Sequence, residues 1–150
     1  MPEAPATRTA QLVMAFDYGL RRIGVACGDT LSATADPVAA VAAGPAGPQW
    51  SAIDMLMRDW QPAFAVVGLP YNVDGTESGM TGAARAFAGE LGARYHLRVE
   101  LTDERYSSLE AQERLRQTRE SGARRKRVAK ADIDAAAACI ILERWISEHS

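Results

Sequence analysis

Residues Leu12–Gly28, LVMAFDYGLRRIGVACG, restrict the fold more than any other part of the chain. Side chains of an extended segment alternate between two faces. Leu12, Met14 and Phe16 fall on one face and Val13 and Ala15 on the other, so the segment reads as a central strand buried on both sides. Asp17 continues the Val13/Ala15 face. A carboxylate leaving such a strand must be hydrated, hydrogen-bonded or bound to a cation, because an unpaired buried charge is too costly. Tyr18–Arg22 supplies a tight turn. Ile23–Gly28 returns as a second strand, whose glycines let another segment approach closely.

The rest of the chain continues in βα units. Ser32–Val41 is a weak third strand, which Pro37 confines to an edge or ends. Gly44–Pro48 is a loop. Gln49–Trp60 is helical, with Trp50, Ile53, Leu56, Met57 and Trp60 at three and four spacings. Ala63–Leu69 is a short buried strand, Pro70–Gly79 a polar loop and Thr81–Tyr95 a helix. Leu97–Leu101 is a strand running into Thr102-Asp103-Glu104-Arg105. A helix capped by Ser107 or Ser108 continues to about Thr118. Asp132–Ser147 is the last helix, with Ile133, Ala136, Ala137, Ile140, Ile141 and Trp145 as its apolar stripe. An antiparallel hairpin followed by βα units implies an α/β fold with a mixed sheet and helices on both faces.

A chain of 150 residues is long enough for one real core. Residues 1–10 read as a disordered lead and 11–150 as one domain. There is no apolar run near 20 residues, so no membrane span is expected, and nothing directs the chain out of the cytoplasm. Cys27 and Cys139 have no paired spacing and read as reduced, buried residues. The net charge of −2 argues against a general nucleic-acid coat protein. The basic residues are nonetheless concentrated: Arg119, Arg124, Arg125, Lys126, Arg127 and Lys130 stand against Glu120 alone. Such a run is either a local partner site or a solvated loop.

Acids collect where the chain can bring them together. Asp17 ends the first strand, Asp103 and Glu104 end the last, and Asp132 and Asp134 begin the final helix. Carboxyl ends of parallel strands open onto one edge of an α/β sheet, where ligands usually bind. The alanines after Asp134 let its helix lie close to the sheet. Clustered carboxylates repel one another, and a hard divalent cation such as Mg²⁺ or Mn²⁺ resolves the repulsion. Acids beside a basic loop therefore suggest metal-dependent nuclease chemistry. Each acid also has a plainer use, Asp17 in a turn and the others at helix starts. Near the same edge, Gly68-Leu69-Pro70 and Asn72 precede a helix start that could hold a phosphate. Tyr18, Tyr71 and Tyr106 lie in loops there and could stack on a base. His96 and His149 read as surface residues, and Trp50, Trp60 and Trp145 as core.

Four stretches, AFDYGLRRIGVACGD, VVGLPYNVDGTES, LTDERYSSLEA and KADIDAAAACIILERWI, occur in that order. Together they resemble the YqgF/RuvX family of the RNase H-like superfamily, described as Holliday junction resolvase-like proteins and as pre-16S ribosomal RNA nucleases. The resemblance runs from about Leu12 to Ile146. It implies an RNase H-like fold with a mixed five-stranded sheet. It implies a metal-binding and catalytic triad of Asp17, Glu104 and Asp134 holding Mg²⁺ or Mn²⁺, with Asp103 as the understudy of Glu104 and Asp132 as an extra acid. It further implies phosphodiester hydrolysis in structured RNA, the 5′ region of precursor 16S ribosomal RNA, with branched DNA as the alternative substrate. On that reading Arg21, Arg22, Asn72 and Arg105 contact substrate near the acids, and Arg124, Arg125, Lys126, Arg127 and Lys130 hold its backbone. The protein acts as a monomer or a homodimer. The competing class is a non-catalytic nucleic-acid-binding module of the same fold.

Overall fold

The computed structural model describes residues 10–72, 74–103, 113 and 130–149. Its strands are β1 (Leu12–Asp17), β2 (Arg22–Asp29), β3 (Thr34–Gly44), β4 (Gly47–Pro48), β5 (Phe64–Leu69) and β6 (Val99–Asp103). Its helices are α1 (Trp50–Trp60), α2 (Gly79–Tyr95) and α3 (Lys130–Glu148). The strands form one sheet in the order β4-β3-β2-β1-β5-β6. β1 to β4 are joined antiparallel, whereas β1, β5 and β6 run parallel. The sheet has six strands rather than five because the turn at Pro45 and Ala46 closes a hairpin, pairing Ala43 with Pro48 and Gly44 with Gly47.

β1 is buried on both faces, as its composition requires. Met14 and Phe16 pack with Ile53 of α1 and Phe87, Ala88 and Leu91 of α2. Val13 and Ala15 pack on the other side with Ile141, Leu142, Trp145 and Ile146 of α3. Helices thus cover both faces, α1 and α2 on one and α3 on the other. The α1–α2 side is also tied by Tyr95, whose hydroxyl donates to Asp54. Burial, then that hydrogen bond, pushes the Tyr95 phenol up to about 12.

Two expectations change, and one left open is decided. Pro37 does not end β3, which is the longest strand and runs past it to Gly44. Pro37 stands opposite Ala26, where the β2–β3 register shifts between Val25 and Ala26. A bulge absorbs a residue without an N–H, and β4 pairs only the far end of β3, so most of β3 lies at an edge as proline requires. Trp60, at the end of α1, is 41% exposed and outside the core. The apolar surface of α3 is broader than a stripe: Ala137 through Leu142 are all buried, whereas Ile133 and Ala136 are only half-buried. A helix laid flat across a sheet buries more of its circumference than one at a surface.

Candidate active site

The register of β1 on β2 places the first acid. Asp17 stands opposite Gly24, and directly paired residues project to the same face. That face is occupied by α3. A Cβ added at Gly24 would lie 1.9 Å from the backbone oxygen of Asp134. No residue other than glycine lets the helix start come this close. Gly28, packed a little over two turns further along α3, repeats the arrangement: a Cβ there would meet Leu142 Cδ2 at 2.7 Å and the Thr34 oxygen at 2.0 Å. Small residues on both partners, Gly24, Ala26 and Gly28 against Ala135 and Ala138, therefore seat α3 on β2. Asp17 and the start of α3 at Asp134 thus lie on the same face of the sheet, Asp17 as the strand partner of Gly24 and Asp134 as the backbone that packs on it.

Asp134 is held from the turn side. Arg22 Nε donates to Asp134 Oδ2 at 2.7 Å, across 112 positions of sequence. The pair is half-buried, with the side chains 37% and 24% exposed. Arg21, next to it, is exposed, as is Leu20 at the tip of the hairpin. Tyr18 turns the other way and packs against Phe87, with ring centroids 5.1 Å apart. It is part of the α1–α2 core rather than a platform for a base. Anchoring Tyr18 on one face holds its neighbour Asp17 toward the other.

The third group of acids is reached through β5. The parallel register sets Val67 beside Phe16, Gly68 beside Thr102 and Leu69 beside Asp103. All three parallel strands therefore end on the same edge as Asp17. Alternation puts Thr102 on the α3 face and Asp103, like Val99, on the α1–α2 face. Arg144 of α3 donates through Nη1 to the Asp103 backbone oxygen at 2.9 Å, which ties the helix to the end of β6. Glu104, Arg105, Tyr106, the helix expected over 107–118 and the basic residues Arg124, Arg125, Lys126 and Arg127 lie outside the described residues, as do the side chains of Lys130 and Asp132. Among the described residues, no group of three His, Cys, Asp or Glu is close enough to hold a metal.

The loop after β5 is internally braced. Asn72 donates through Nδ2 to Thr76 Oγ1 at 3.0 Å, and its N–H donates to the Thr76 oxygen at 2.8 Å. Asp74 Oδ1 accepts from the Thr76 N–H at 2.9 Å. Ser78 and Thr81 form a capping box at the start of α2. Both hydroxyls also donate to the Pro70 oxygen, at 2.8 and 2.9 Å. Asn72 is exposed beside the strand ends, but its carboxamide is used within the loop. Arg85 reaches the same loop, pairing with Glu77 at 2.7 Å.

The sequence named Arg22 as a substrate contact but not as the partner of Asp134, a pairing no spacing signals. It also read the glycines of the second strand as sites of close approach, and Gly24 is where the start of α3 comes down.

A hairpin, two further parallel strands and a helix laid across the opposite face, with acids at the common edge, define an RNase H-like domain. Two solved structures share the fold: T. thermophilus RuvC in complex with Holliday junction substrate and the yeast mitochondrial Holliday junction resolvase Ydc2. The first superposes with a TM-score of 0.56 at 14% identity, covering 92% of this chain and 95% of that one. The second gives 0.55 at 9% identity, covering 96% and 80%. The RuvX family model, described as Holliday junction resolvase, matches residues 11–148, and the chain belongs to this nuclease family. A relative from Xanthomonas campestris pv. campestris (strain B100), described as "Putative pre-16S rRNA nuclease", is 47% identical over 98% of this chain and 94% of its own length. Relatives of the same description from Nitrosococcus oceani and Cronobacter sakazakii are 41% and 42% identical, covering 98% and 91% of this chain and 93% and 96% of their own lengths.

Proposed function

We propose that the chain is a metal-dependent nuclease that hydrolyses phosphodiester bonds in the 5′-end processing of precursor 16S ribosomal RNA. The observation that carries the reading is that Gly24, the strand partner of Asp17, is also where the backbone of Asp134 packs, on the edge where β1, β5 and β6 end. A pure phosphate binder gains nothing from two carboxylates on one seat. Resolvases and nucleases of this fold generally use divalent metals. The oxygen donors of Asp17 and Asp134 suit a hard cation, with Glu104 as the third ligand. With Mg²⁺ or Mn²⁺ held by these residues, the site would have an activated water and a positive charge facing the phosphate. The chain's own part is to hold the carboxylates rigidly, Asp17 through the buried β1 and Asp134 through the seated α3. Rigid placement is where much of the rate comes from.

Arg21, Arg105 and the outer nitrogens of Arg22 contact phosphates beside the acids, and Asn72 presents the braced loop to the same strand. Arg124, Arg125, Lys126, Arg127 and Lys130 hold the substrate backbone, contributing affinity without sequence information. Residues 11–150 act as one domain, in the cytoplasm, as a monomer or homodimer. Among the described residues no helix is long and apolar enough to cross a membrane.

The test is Mn²⁺-dependent cleavage of precursor 16S ribosomal RNA and of a four-way DNA junction by wild type and Asp17→Asn. Wild type should cut the RNA. Asp17→Asn should lose at least about 100-fold in rate while staying folded, the scale of removing a group that acts on the developing charge. Cutting of the junction alone would assign the resolvase activity of the family name instead. Equal cutting by Asp17→Asn, or none by wild type, overturns the catalytic reading.

A further inference from the structure

We propose that Arg22 is a positioning residue for Asp134, holding one carboxylate oxygen so that the other faces the metal. The proposal rests on the reading of Asp17 and Asp134 as metal-holding. Arg22 Nε binds Oδ2 of Asp134 at 2.7 Å; among the described residues Oδ1 has no hydrogen-bond partner. One oxygen is thus fixed and the other is left for a cation. The arginine is itself fixed in the backbone. It opens β2, opposite Ala42 of β3, and the adjacent Arg21 oxygen accepts from the Ala43 N–H at 2.9 Å. The pair crosses from the hairpin to the first turns of α3, two residues from the Gly24 seat on β2. Backbone packing sets the height of the helix start. The arginine sets the rotamer of the acid, which packing alone leaves free.

Two effects oppose one another when Arg22 is removed. Losing a nearby positive charge favours cation binding, whereas losing the fixed rotamer disfavours it. The guanidinium is over a third exposed, so water screens its repulsion. Rotamer fixation depends on the short hydrogen bond and is not screened in that way. Fixation therefore dominates. Outer-shell partners of metal ligands are typically worth about 10–100-fold in metal affinity or activity.

The experiment is Mn²⁺ binding by titration calorimetry without nucleic acid, on wild type, Arg22→Gln, Arg22→Lys and Asp134→Asn, each checked for folding by circular dichroism. Arg22→Gln should bind Mn²⁺ about 10–100-fold more weakly, and Arg22→Lys should recover part of the loss. A residue that only contacts substrate phosphate would leave this affinity unchanged. Wild-type or tighter binding by Arg22→Gln, with Asp134→Asn weakened, overturns the role of Arg22 alone. Unweakened binding by Asp134→Asn overturns the metal reading and the proposal with it. If Arg22→Gln does not fold, the Nε–H resonance of Arg22 in the wild-type protein decides. It should persist and shift when Mg²⁺ is added, and its loss would show that the cation displaces the arginine.

Discussion

Gly24→Ala isolates the seat of α3 from the chemistry of the acids. The new Cβ would stand 1.9 Å from the Asp134 oxygen, where contacts below 3.0 Å are essentially never found. The start of the helix must retreat by at least about 1 Å, because the clashing atom is backbone and cannot rotate away. Overpacking of this kind costs about 1–3 kcal/mol. Replacing glycine restricts the unfolded chain and returns about 0.4–1 kcal/mol, too little to offset it. For a chain of this size the net loss should lower Tm by roughly 2–10 °C. Asp134 moves with the helix start, and a misplacement of about 1 Å can reduce turnover about 100-fold. The assay pairs thermal unfolding with single-turnover cleavage of precursor 16S ribosomal RNA. Gly89→Ala is the control, since a Cβ at this exposed position of α2 meets nothing within 4 Å. It should raise Tm by roughly 2–4 °C, through about 1 kcal/mol of helix propensity, and leave the rate unchanged. Wild-type Tm and rate in Gly24→Ala would refute the close approach. A lowered Tm with an unchanged rate would refute the link from the seat to Asp134.

Two further outcomes are expected. Burial, with Cys139 nearby, pushes the Cys27 thiol up to about 12 from an ordinary value near 9. Native protein at pH 8 should leave Cys27 unlabelled by iodoacetamide. The neutral thiol is favoured by the fold, so its contribution is complete below pH 9 and lost as pH rises through about 12. The decline of Tm over that window should be shallower in Cys27→Ala. Changing Arg124, Arg125, Lys126 and Arg127 to Ala should weaken RNA binding and reduce the slope of log affinity against log salt by about 3, from roughly 0.7 per phosphate contact on single strands. An unchanged slope would make that run a solvated loop.

Local pattern was enough for much of this fold. β1 has apolar residues on both faces, and only a central strand with a layer on each side hides both. The helical spacing of Trp50, Ile53 and Leu56 is a property of neighbouring residues, and α1 forms where it places the helix; α2 begins at Gly79, two residues ahead of the expected Thr81. Asp17 at the end of β1 was legible for the same reason: a charge after a two-sided apolar run is conspicuous in one dimension. For Pro37 the sequence left two outcomes open, an edge strand or a strand end, and the sheet decides for the edge: β4 pairs only the far end of β3, and a bulge beside Pro37 shifts the register. Trp60 and Tyr18 misled in opposite directions, since spacing does not say whether a helix end overhangs the core or which way a turn residue folds back.

The pairings that make the site are long-range, and no spacing in the sequence encodes them. Arg22 meets Asp134 across 112 positions because α3 crosses the sheet with its first turns on Gly24. The sequence ranked Asp103 behind its neighbour as a ligand without settling it, and the register of β6 on β5 places Asp103 on the face away from α3. Composition and periodicity dictate which segments must be buried. The direction in which α3 is laid, and with it which acid an arginine of the hairpin reaches, is decided only when the two small-residue surfaces close on one another.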